Sequence, residues 1–289
     1  MRRALPSLAA ITLLTTALTA GSAAASRTGS YDSYVALGDS YTSGTLIPNV
    51  INLPCFRSDH NYPSLVTAKL APRSFTDVSC GGAATPDMTS SQLQSGNPPQ
   101  FNALKPDTDL VTVGIGGNDI PFGEIVNNCG ARGAFVPHGS PCKDFYTGGG
   151  KDELAAKVRA VGPKVGKVLD GIRQRSPQAE IVLVGYPAVM PDSGANCWPL
   201  IPISDGDAPY LRDITKLLNT VLAEQAAAHD ATFADTYTSS IGHDICQPPG
   251  IKWIEGILPT SPAGPVHPNA AGTDDQARQV LAALTAARS

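Results

Sequence analysis

Short apolar runs alternate with longer helical patterns along the chain. Five runs rich in Val, Ile and Leu lack a regular alternation with polar residues, which is typical of strands covered on both faces. They are Tyr34–Leu37, Phe75–Val78, Asp109–Ile115, Glu180–Gly185 and Ala231–Ala234. We predict a β-strand in each.

Longer stretches with helical periodicity lie between or after these runs. They are Tyr62–Leu70, Asp152–Arg175, Ala208–His229 and Pro268–Ala287. Strands that alternate with helices indicate parallel pairing and right-handed crossovers. We therefore predict an α/β fold, namely a single-domain, doubly wound, flavodoxin-like three-layer sandwich around a parallel five-stranded sheet.

Several segments rich in Gly and Pro show neither pattern. They are Thr45–Asn61, Cys129–Gly150, Pro187–Gly206 and Tyr237–Val266, and each is expected to follow a strand. In open α/β sheets, ligands bind beyond the carboxyl ends of the strands. We expect these segments to be long loops at the rim of the active site.

The N-terminus has the features of an export signal. Arg2 and Arg3 precede a short apolar stretch, Leu8–Ala20, and Ala23-Ala24-Ala25 supplies small residues for cleavage. A membrane anchor would need roughly 18 or more apolar residues, and this stretch is shorter. We expect residues 1–25 to be a signal peptide and residues 26–289 to form one secreted domain.

The chain contains six cysteines: Cys55, Cys80, Cys129, Cys142, Cys197 and Cys246. In an exported protein they indicate three disulfides. A metal site is the rival interpretation, but the chain has neither a Cys-x-x-Cys motif nor a histidine at ligand spacing from a cysteine pair. About 15 pairings are possible. We favour the sequential pairing Cys55–Cys80, Cys129–Cys142 and Cys197–Cys246, because each bond would then fasten one rim loop or join two neighbours.

The charge of the chain argues against nucleic acid and anionic membrane surfaces as partners. Removal of Arg2 and Arg3 leaves 19 basic residues against 25 acidic ones, a net charge of about −6, with no cluster of Lys or Arg.

The glycines of Gly114-Ile115-Gly116-Gly117 lack the spacing of a dinucleotide fingerprint. We expect no cofactor, no metal, no stable membrane anchoring and a monomer.

Four short motifs occur in a fixed order along the chain. They are Gly38-Asp39-Ser40, Cys80-Gly81-Gly82-Ala83, Gly116-Gly117-Asn118-Asp119 and His267-Pro268-Asn269. In this order they resemble the SGNH (GDSL-type) serine esterase and lipase family, in particular its secreted actinobacterial-like branch. The resemblance spans most of the chain.

The resemblance implies a role for four residues. Ser40 is the expected nucleophile, and His267 is the expected general base, because a serine hydroxyl needs a base to take its proton. The backbone N–H groups of Ser40 and Gly82 and the side-chain amide of Asn118 are the expected oxyanion hole. Asp39 and Asp119, each beside a catalytic residue, are expected to be structural supports, and the other four histidines to be surface residues.

The aspartate that completes a Ser–His–Asp triad in many family members is missing from its usual place. Many family members have an aspartate three residues before the histidine, whereas this chain has Gly264. Two alternatives remain for orienting His267. A backbone carbonyl near Gly264 is the favoured one, and a distant acid such as Asp235 or Asp244 is the other.

Large apolar residues occur in two of the predicted rim loops and suggest an acyl pocket. They are Trp198, Leu200, Ile201, Ile203, Trp253, Ile254, Ile257 and Leu258. The alternative is that they only pack the loops onto the core. We expect a secreted serine carboxylester hydrolase of the lipase, esterase or phospholipase A type that acts on small-molecule or lipid esters. A carbohydrate O-acetyl esterase and a non-catalytic secreted binding protein are the alternatives.

Overall fold

Five parallel strands form the central sheet of the computed structural model, which describes residue 1, residues 30–194 and residues 196–288. The strands of this part of the chain are β1 (Ser33–Gly38), β2 (Val50–Asn52), β3 (Arg57–Ser58), β4 (Ser74–Asp77), β5 (Leu110–Gly114), β6 (Glu180–Val184) and β7 (Thr232–Ala234). The large sheet has the order β4-β1-β5-β6-β7, and β2 and β3 pair separately as an antiparallel hairpin. Counted within the large sheet this is the flavodoxin-like order 2-1-3-4-5, so the predicted fold class is confirmed.

Helices cover both faces of this sheet. They are α1 (Ser40–Ser43), α2 (Tyr62–Leu70), α3 (Phe122–Gly133), α4 (Pro141–Thr147), α5 (Glu153–Arg175), α6 (Asp207–Ala228) and α7 (Ala270–Ala286). Helices α2 and α7 pack together on one face, and α5 and α6 pack together on the other. The three layers are those expected from the sequence.

Side chains of β1 alternate between the two hydrophobic cores, as the pleat of a strand requires. Tyr34 and Ala36 belong to the core under α2 and α7, whereas Val35 and Leu37 belong to the core under α5 and α6. All four are buried. Because both faces of the strand are buried, its sequence is a continuous apolar run.

Two segments expected to be irregular contain α-helix or β-strand. Thr45–Asn61 includes the β2–β3 hairpin, and Cys129–Gly150 lies largely in α3 and α4. The glycines that argued against a helix serve close packing. A Cβ at Gly133 would lie 2.4 Å from the carbonyl oxygen of Pro202, so only glycine allows this approach.

The predicted start of the last helix was also wrong by two residues. Pro268 lies outside α7, because Asn269 is its N-cap and accepts hydrogen bonds from the N–H groups of Ala271 and Gly272.

Three disulfides join Cys55 to Cys80, Cys129 to Cys142, and Cys197 to Cys246. This is the sequential pairing favoured by the sequence. The bond between Cys129 and Cys142 connects α3 to α4, so it ties two helices rather than a loop. The other two bonds hold loops that follow strands of the sheet.

The predicted signal peptide lies outside the described residues apart from Met1. Where the chain is described, no helix is both long enough and apolar enough to cross a membrane.

Candidate active site

Ser40 lies at a sharp turn directly beyond the carboxyl end of β1. Asp39 is the N-cap of α1, and its carboxylate accepts a hydrogen bond from the N–H of Tyr41 at 2.9 Å. The turn requires a glycine at position 38, where a Cβ would lie 2.2 Å from Oγ1 of Thr42 and 2.6 Å from the carbonyl oxygen of Gly114. The strand end therefore presents Ser40 at the rim of the sheet.

His267 forms a direct hydrogen bond with Ser40, although 227 positions separate them in the sequence. The distance from Nε2 of His267 to Oγ of Ser40 is 2.7 Å. Nδ1 of His267 lies 2.7 Å from the carbonyl oxygen of Pro265, which can only accept a hydrogen bond. Nδ1 therefore carries the proton, and Nε2 is free to accept the proton of Ser40.

The carbonyl that contacts Nδ1 belongs to Pro265 and not to Gly264 itself, near which it was expected from the sequence. The carbonyl of Gly264 accepts instead from the backbone N–H of His267, at 3.2 Å. The two candidate acids are engaged elsewhere. Asp235 accepts from the backbone of Tyr237 and from Thr238, and Asp244 accepts from Cys246 and Gln247.

Tyr41 holds the segment that carries His267. Its hydroxyl donates to the carbonyl of Val266 at 2.7 Å, and its ring lies 5.0 Å from the imidazole ring, centroid to centroid. Val266 has a φ of +61°, which is rare for a β-branched residue. The contact with Tyr41 therefore fixes a backbone turn that the sequence alone would not favour.

A buried ion pair lies behind the same segment. Nζ of Lys252 is 3.1 Å from Oε2 of Glu255, and both side chains are almost fully buried. Burial acts to raise the pKa of Glu255, but hydrogen bonds from Asn269, Thr260 and Lys252 outweigh it and lower the pKa to about 2. The backbone N–H of Glu255 also donates to the carbonyl of His267 at 2.9 Å. Glu255 and Asn269 thus connect the His267 segment to the start of α7.

The three residues predicted to supply the oxyanion hole, Ser40, Gly82 and Asn118, line one cavity. The backbone N–H groups of Ser40 and Gly82 have no acceptor within the described ranges. One N–H of the Asn118 side chain donates to the carbonyl of Ala83 at 2.9 Å, which leaves the second N–H available. All three residues line the same cavity as His267.

Gly82 adopts a backbone conformation that favours glycine. Its φ of +78° lies in the left-handed region, where a side chain would be strained. The side-chain amide of Gln92 donates to the neighbouring carbonyl of Gly81 at 2.7 Å. This contact holds the loop that presents the N–H of Gly82.

Asp39 and Asp119 have the contacts of structural supports. The hydroxyl of Tyr186 donates to Asp39 and accepts from the N–H of Gly117 at 2.8 Å, which links the ends of β1, β5 and β6. Asp119 accepts from the N–H and the hydroxyl of Thr85, at 2.9 and 2.6 Å. This bond ties the segment after Gly82 to the segment that carries Asn118.

Burial changes the acid–base behaviour of two groups at the site. It raises the pKa of Asp39 to about 7, against the opposing effect of the hydrogen bonds from Tyr186 and Tyr41. Burial lowers the pKa of His267, and the bond to Pro265 acts in the opposite direction. The imidazole is therefore neutral, and able to act as a base, over a wider range of pH than a free histidine.

Sequence reasoning missed the residues that hold the catalytic pair in place. Tyr41, Tyr186 and Glu255 have the contacts described above, and the side chain of Gln100 bonds both the N–H and the carbonyl of Gly38, at 2.8 and 2.9 Å. The only available signals were the position of Tyr41 next to Ser40 and of Tyr186 after the fourth apolar run. Neither indicates a contact by itself.

The other four histidines each lie against a neighbour away from Ser40. His60, His138 and His229 pair with Asp59, Asp205 and Asp170, respectively. His243 stacks on Trp253 with ring centroids 3.6 Å apart.

No group of His, Cys, Asp and Glu among the described residues is arranged to hold a metal ion.

A cavity of about 440 Å³ extends from Ser40 into the interior. Its walls are mostly apolar and come from α3, from α6 and from the loops that follow the strands of the sheet. We call it the acyl cavity. Met190, Leu211, Ile214 and Leu218 are among its apolar wall residues. The volume is within the range of small-molecule sites.

The eight apolar residues of the rim loops divide into two groups. Ile201, Ile203 and Ile257 line the acyl cavity. The remaining five do not: Ile254 is in the core, Trp253 stacks on His243, and Trp198, Leu200 and Leu258 are exposed. The expectation of an acyl pocket therefore applies to three of the eight, and the other wall residues come from α1, α3 and α6 and from further loop positions.

The known proteins that this chain resembles are lipases and related acylhydrolases. Residues 36–274 match the GDSL-like Lipase/Acylhydrolase family. The chain is 41% identical to Lipase 2 of Streptomyces coelicolor over 271 residues, which cover 92% of this chain and 90% of that protein. Its fold is similar to the crystal structure of phospholipase A1 from Streptomyces albidoflavus, with a TM-score of 0.71 at 27% identity, over 88% of this chain and all of the other. It is equally similar to the extracellular lipase of Streptomyces rimosus, with a TM-score of 0.71 at 28% identity, over 87% and 99% of the two chains.

Proposed function

The chain belongs to the GDSL-like lipase/acylhydrolase family and is a carboxylic ester hydrolase, and we propose that it works through an acyl-enzyme on Ser40. The observation that carries this proposal is the 2.7 Å contact between Oγ of Ser40 and Nε2 of His267 at the mouth of the acyl cavity. A serine activated by a neighbouring imidazole is the arrangement that acyl transfer requires.

In the proposed reaction, Oγ of Ser40 attacks the ester carbonyl carbon while Nε2 of His267 takes the hydroxyl proton. The carbonyl oxygen becomes an oxyanion, which the N–H groups of Ser40, Gly82 and Asn118 stabilise. The carbon–oxygen bond to the alcohol then breaks, and His267 returns its proton to the leaving oxygen. Water, activated by the same imidazole, releases the acid and restores Ser40.

We propose that His267 and Ser40 act as a dyad. The carbonyl of Pro265 fixes the imidazole tautomer, as an aspartate does in a triad, but supplies no full negative charge. Asp235→Asn and Asp244→Asn should then leave kcat within about twofold of the parent, whereas loss of a true triad acid costs about 10⁴ in kcat. A loss of that size in either variant would require a triad.

The shape of the acyl cavity favours esters of medium or long acyl chains. Buried apolar side chains such as Met190 and Ile214 would exclude water around a hydrocarbon chain and gain free energy from its burial. An acetyl group would leave most of the cavity unfilled. Acetylated carbohydrates are therefore expected to be poor substrates.

The direct test is hydrolysis of p-nitrophenyl esters from acetate to palmitate by the parent and by Ser40→Ala. The matched control is Ser43→Ala, which removes a buried hydroxyl from the same short helix but does not line the acyl cavity. We expect turnover with a preference for chains longer than acetyl, loss of turnover in Ser40→Ala and retention in Ser43→Ala. Equal activity in Ser40→Ala and the parent would refute the assignment of the nucleophile.

We also propose that the protein is exported and works as a monomer. Three disulfides are typical of proteins in an oxidising compartment, and the similar lipase of Streptomyces rimosus is extracellular. All groups of the proposed site come from one chain. N-terminal sequencing of protein recovered from the culture medium should begin at Ser26, and a cell-associated protein that retains Arg2 and Arg3 would contradict export.

A further inference from the structure

A second depression adjoins the acyl cavity beside His267. It has a volume of about 410 Å³, and both spaces are lined by Phe122, Gly123, Val126, Ile257, Val266 and His267. We call it the α3 groove, because one wall is α3 and the other is formed by Pro202, Ile257 and Pro265. Several of its residues are exposed, so it opens to solvent.

The two spaces differ in which reacting groups they contact. The oxyanion donors Ser40, Gly82 and Asn118 line the acyl cavity and do not line the α3 groove. His267 lines both. The groove therefore lies on the imidazole side of the reacting carbon and away from the oxyanion side.

The chemistry of the reaction fixes what must lie on that side. When the tetrahedral intermediate breaks down, the bond between carbon and the alcohol oxygen breaks, and Nε2–H of His267 donates its proton to that oxygen. The alcohol must then lie within hydrogen-bond reach of His267. The rest of the alcohol lies beyond this oxygen. It therefore starts next to the imidazole, which is where the α3 groove begins.

We propose that the α3 groove binds the alcohol portion of the ester, and that this alcohol carries an apolar chain of its own, as a diacylglycerol does. The inference rests on the proposed function. The groove and the acyl cavity have similar volumes, about 410 and 440 Å³, so each has room for one hydrocarbon chain. A small alcohol such as ethanol would leave the groove empty.

The groove wall on α3 is shaped for an uncharged chain. Gly123, Asn127 and Ala131 follow each other at intervals of four residues and therefore lie along one side of the helix. A Cβ at Gly123 would meet no atom within 4 Å, so this side of the helix is open. The described residues that line the groove include no Lys, Arg, Asp or Glu. A neutral glyceride suits this lining better than a phospholipid, whose phosphate would find no cation there.

The test is a substitution that fills the groove and leaves the acyl cavity open. Asn127 is exposed and lines the groove, and its side chain makes no hydrogen bond to the described residues, so Asn127→Trp should fold. Trioctanoylglycerol and ethyl octanoate, in the same mixed micelles, share an acyl group and differ only in the alcohol. We expect kcat/KM to fall about tenfold or more for trioctanoylglycerol and to stay within about twofold for ethyl octanoate.

Glu124→Trp is the matched control, because Glu124 is an exposed residue of the same helix that lines neither space. It should leave both substrates unaffected. Ala131→Phe narrows the groove from another position and should reproduce the selective loss. The ethyl octanoate rate reports in every variant whether the fold and the Ser40–His267 pair are intact.

Three results would overturn the inference. They are an unchanged rate on trioctanoylglycerol in both groove variants, an equal loss on both substrates in both, and a selective loss confined to dioctanoylphosphatidylcholine. The last would assign the groove to a phospholipid headgroup. Absence of Ser40-dependent hydrolysis of any ester by the parent protein would instead refute the proposed function itself, so the two failures are distinguishable.

Discussion

The imidazole of His267 is held between a hydroxyl and a main-chain carbonyl. Oγ of Ser40 lies on one side and the carbonyl oxygen of Pro265 on the other, each at 2.7 Å. A carbonyl sets the tautomer but stabilises the imidazolium less than a carboxylate does. Burial lowers the pKa of the same imidazole, so its neutral form is favoured at rest.

The value of kcat/KM should depend on pH through the imidazole of His267. The neutral imidazole is the active form, so kcat/KM should rise with pH as His267 loses its proton. Because the pKa is lowered, the midpoint should lie below the ordinary value of ~6.5. A profile of kcat/KM from pH 4 to about 9 measures this.

Asp39 must be separated from His267 in that profile, because its pKa is raised to about 7. Asp39→Asn removes the carboxyl while keeping an oxygen that can accept from Tyr41 or Tyr186. We expect the variant to keep the midpoint of the parent, even if its maximum rate falls. A profile that loses its ascending limb in Asp39→Asn would assign the limb to Asp39 and contradict the role of His267.

The second prediction concerns the oxyanion hole. Asn118→Ala should lower kcat by about 10²–10³ with a smaller effect on KM, because the lost N–H acts on the transition state. Thr85→Val is the control, since it removes one hydroxyl bond to Asp119 but leaves the Asn118 amide in place. A loss of less than about threefold in Asn118→Ala would exclude this amide from the oxyanion hole.

The four motif residues could be placed by sequence, but their supports could not. Each motif residue directly follows or precedes a recognisable strand or helix, so its position at the rim was predictable. The carbonyl of Pro265 and the hydroxyl of Tyr41 became recognisable only with the left-handed turn at Val266. That turn depends on contacts between residues more than two hundred positions apart, which a local pattern does not contain.

At the level of elements, α6 does more than cover the sheet. Its residues Leu211, Ile214, Thr215 and Leu218 form one side of the acyl cavity, while Val221 and Leu222 pack in the core. The helix was predicted nearly to its ends, but its part in the cavity was not. The loops after β6 and β7 also supply wall residues, but of the apolar residues singled out there in the sequence only Ile201, Ile203 and Ile257 line the cavity.

A larger side chain on α6 should shorten the acyl cavity. Ile214→Phe places a larger side chain in the cavity wall and should shift the preferred p-nitrophenyl ester by about two carbons or more toward shorter chains. Activity on acetate should be retained, because Ser40 and His267 are not contacted. Leu217→Phe is the control, since Leu217 is partly buried on the same helix and does not line the cavity. An unchanged chain-length profile in Ile214→Phe would mean that acyl chains bind elsewhere.

Helix α3 shows why part of the fold escaped prediction. Gly123, Gly130 and Gly133 lower the helix propensity of its sequence, and the segment from Cys129 onward was expected to be a loop because it is rich in Gly and Pro. In the structure, Gly133 allows contact with the backbone near Pro202, and the disulfide to Cys142 joins α3 to α4. Tertiary packing outweighs local propensity here, and it creates the wall of the α3 groove.

Across the whole molecule, the reacting groups collect at the point where the strand order reverses. Ser40 follows β1 and Asn118 follows β5, the two neighbours from which the sheet grows in opposite directions. Crevices for ligands form at this point in open α/β sheets. The alternation of apolar runs and helical patterns is sufficient to predict this location, while the cavity and groove depend on packing that no single pattern specifies.

Covalent trapping of the nucleophile shows directly whether Ser40 is the reactive residue. The intact protein is treated with diethyl p-nitrophenyl phosphate, and the adduct is located by peptide mass spectrometry. We predict one diethylphosphoryl group on Ser40, no adduct in Ser40→Ala, and much slower labelling in His267→Ala because the hydroxyl then lacks its base. A parent protein that hydrolyses esters but is labelled on another residue, or is labelled equally fast in His267→Ala, would contradict the central claim.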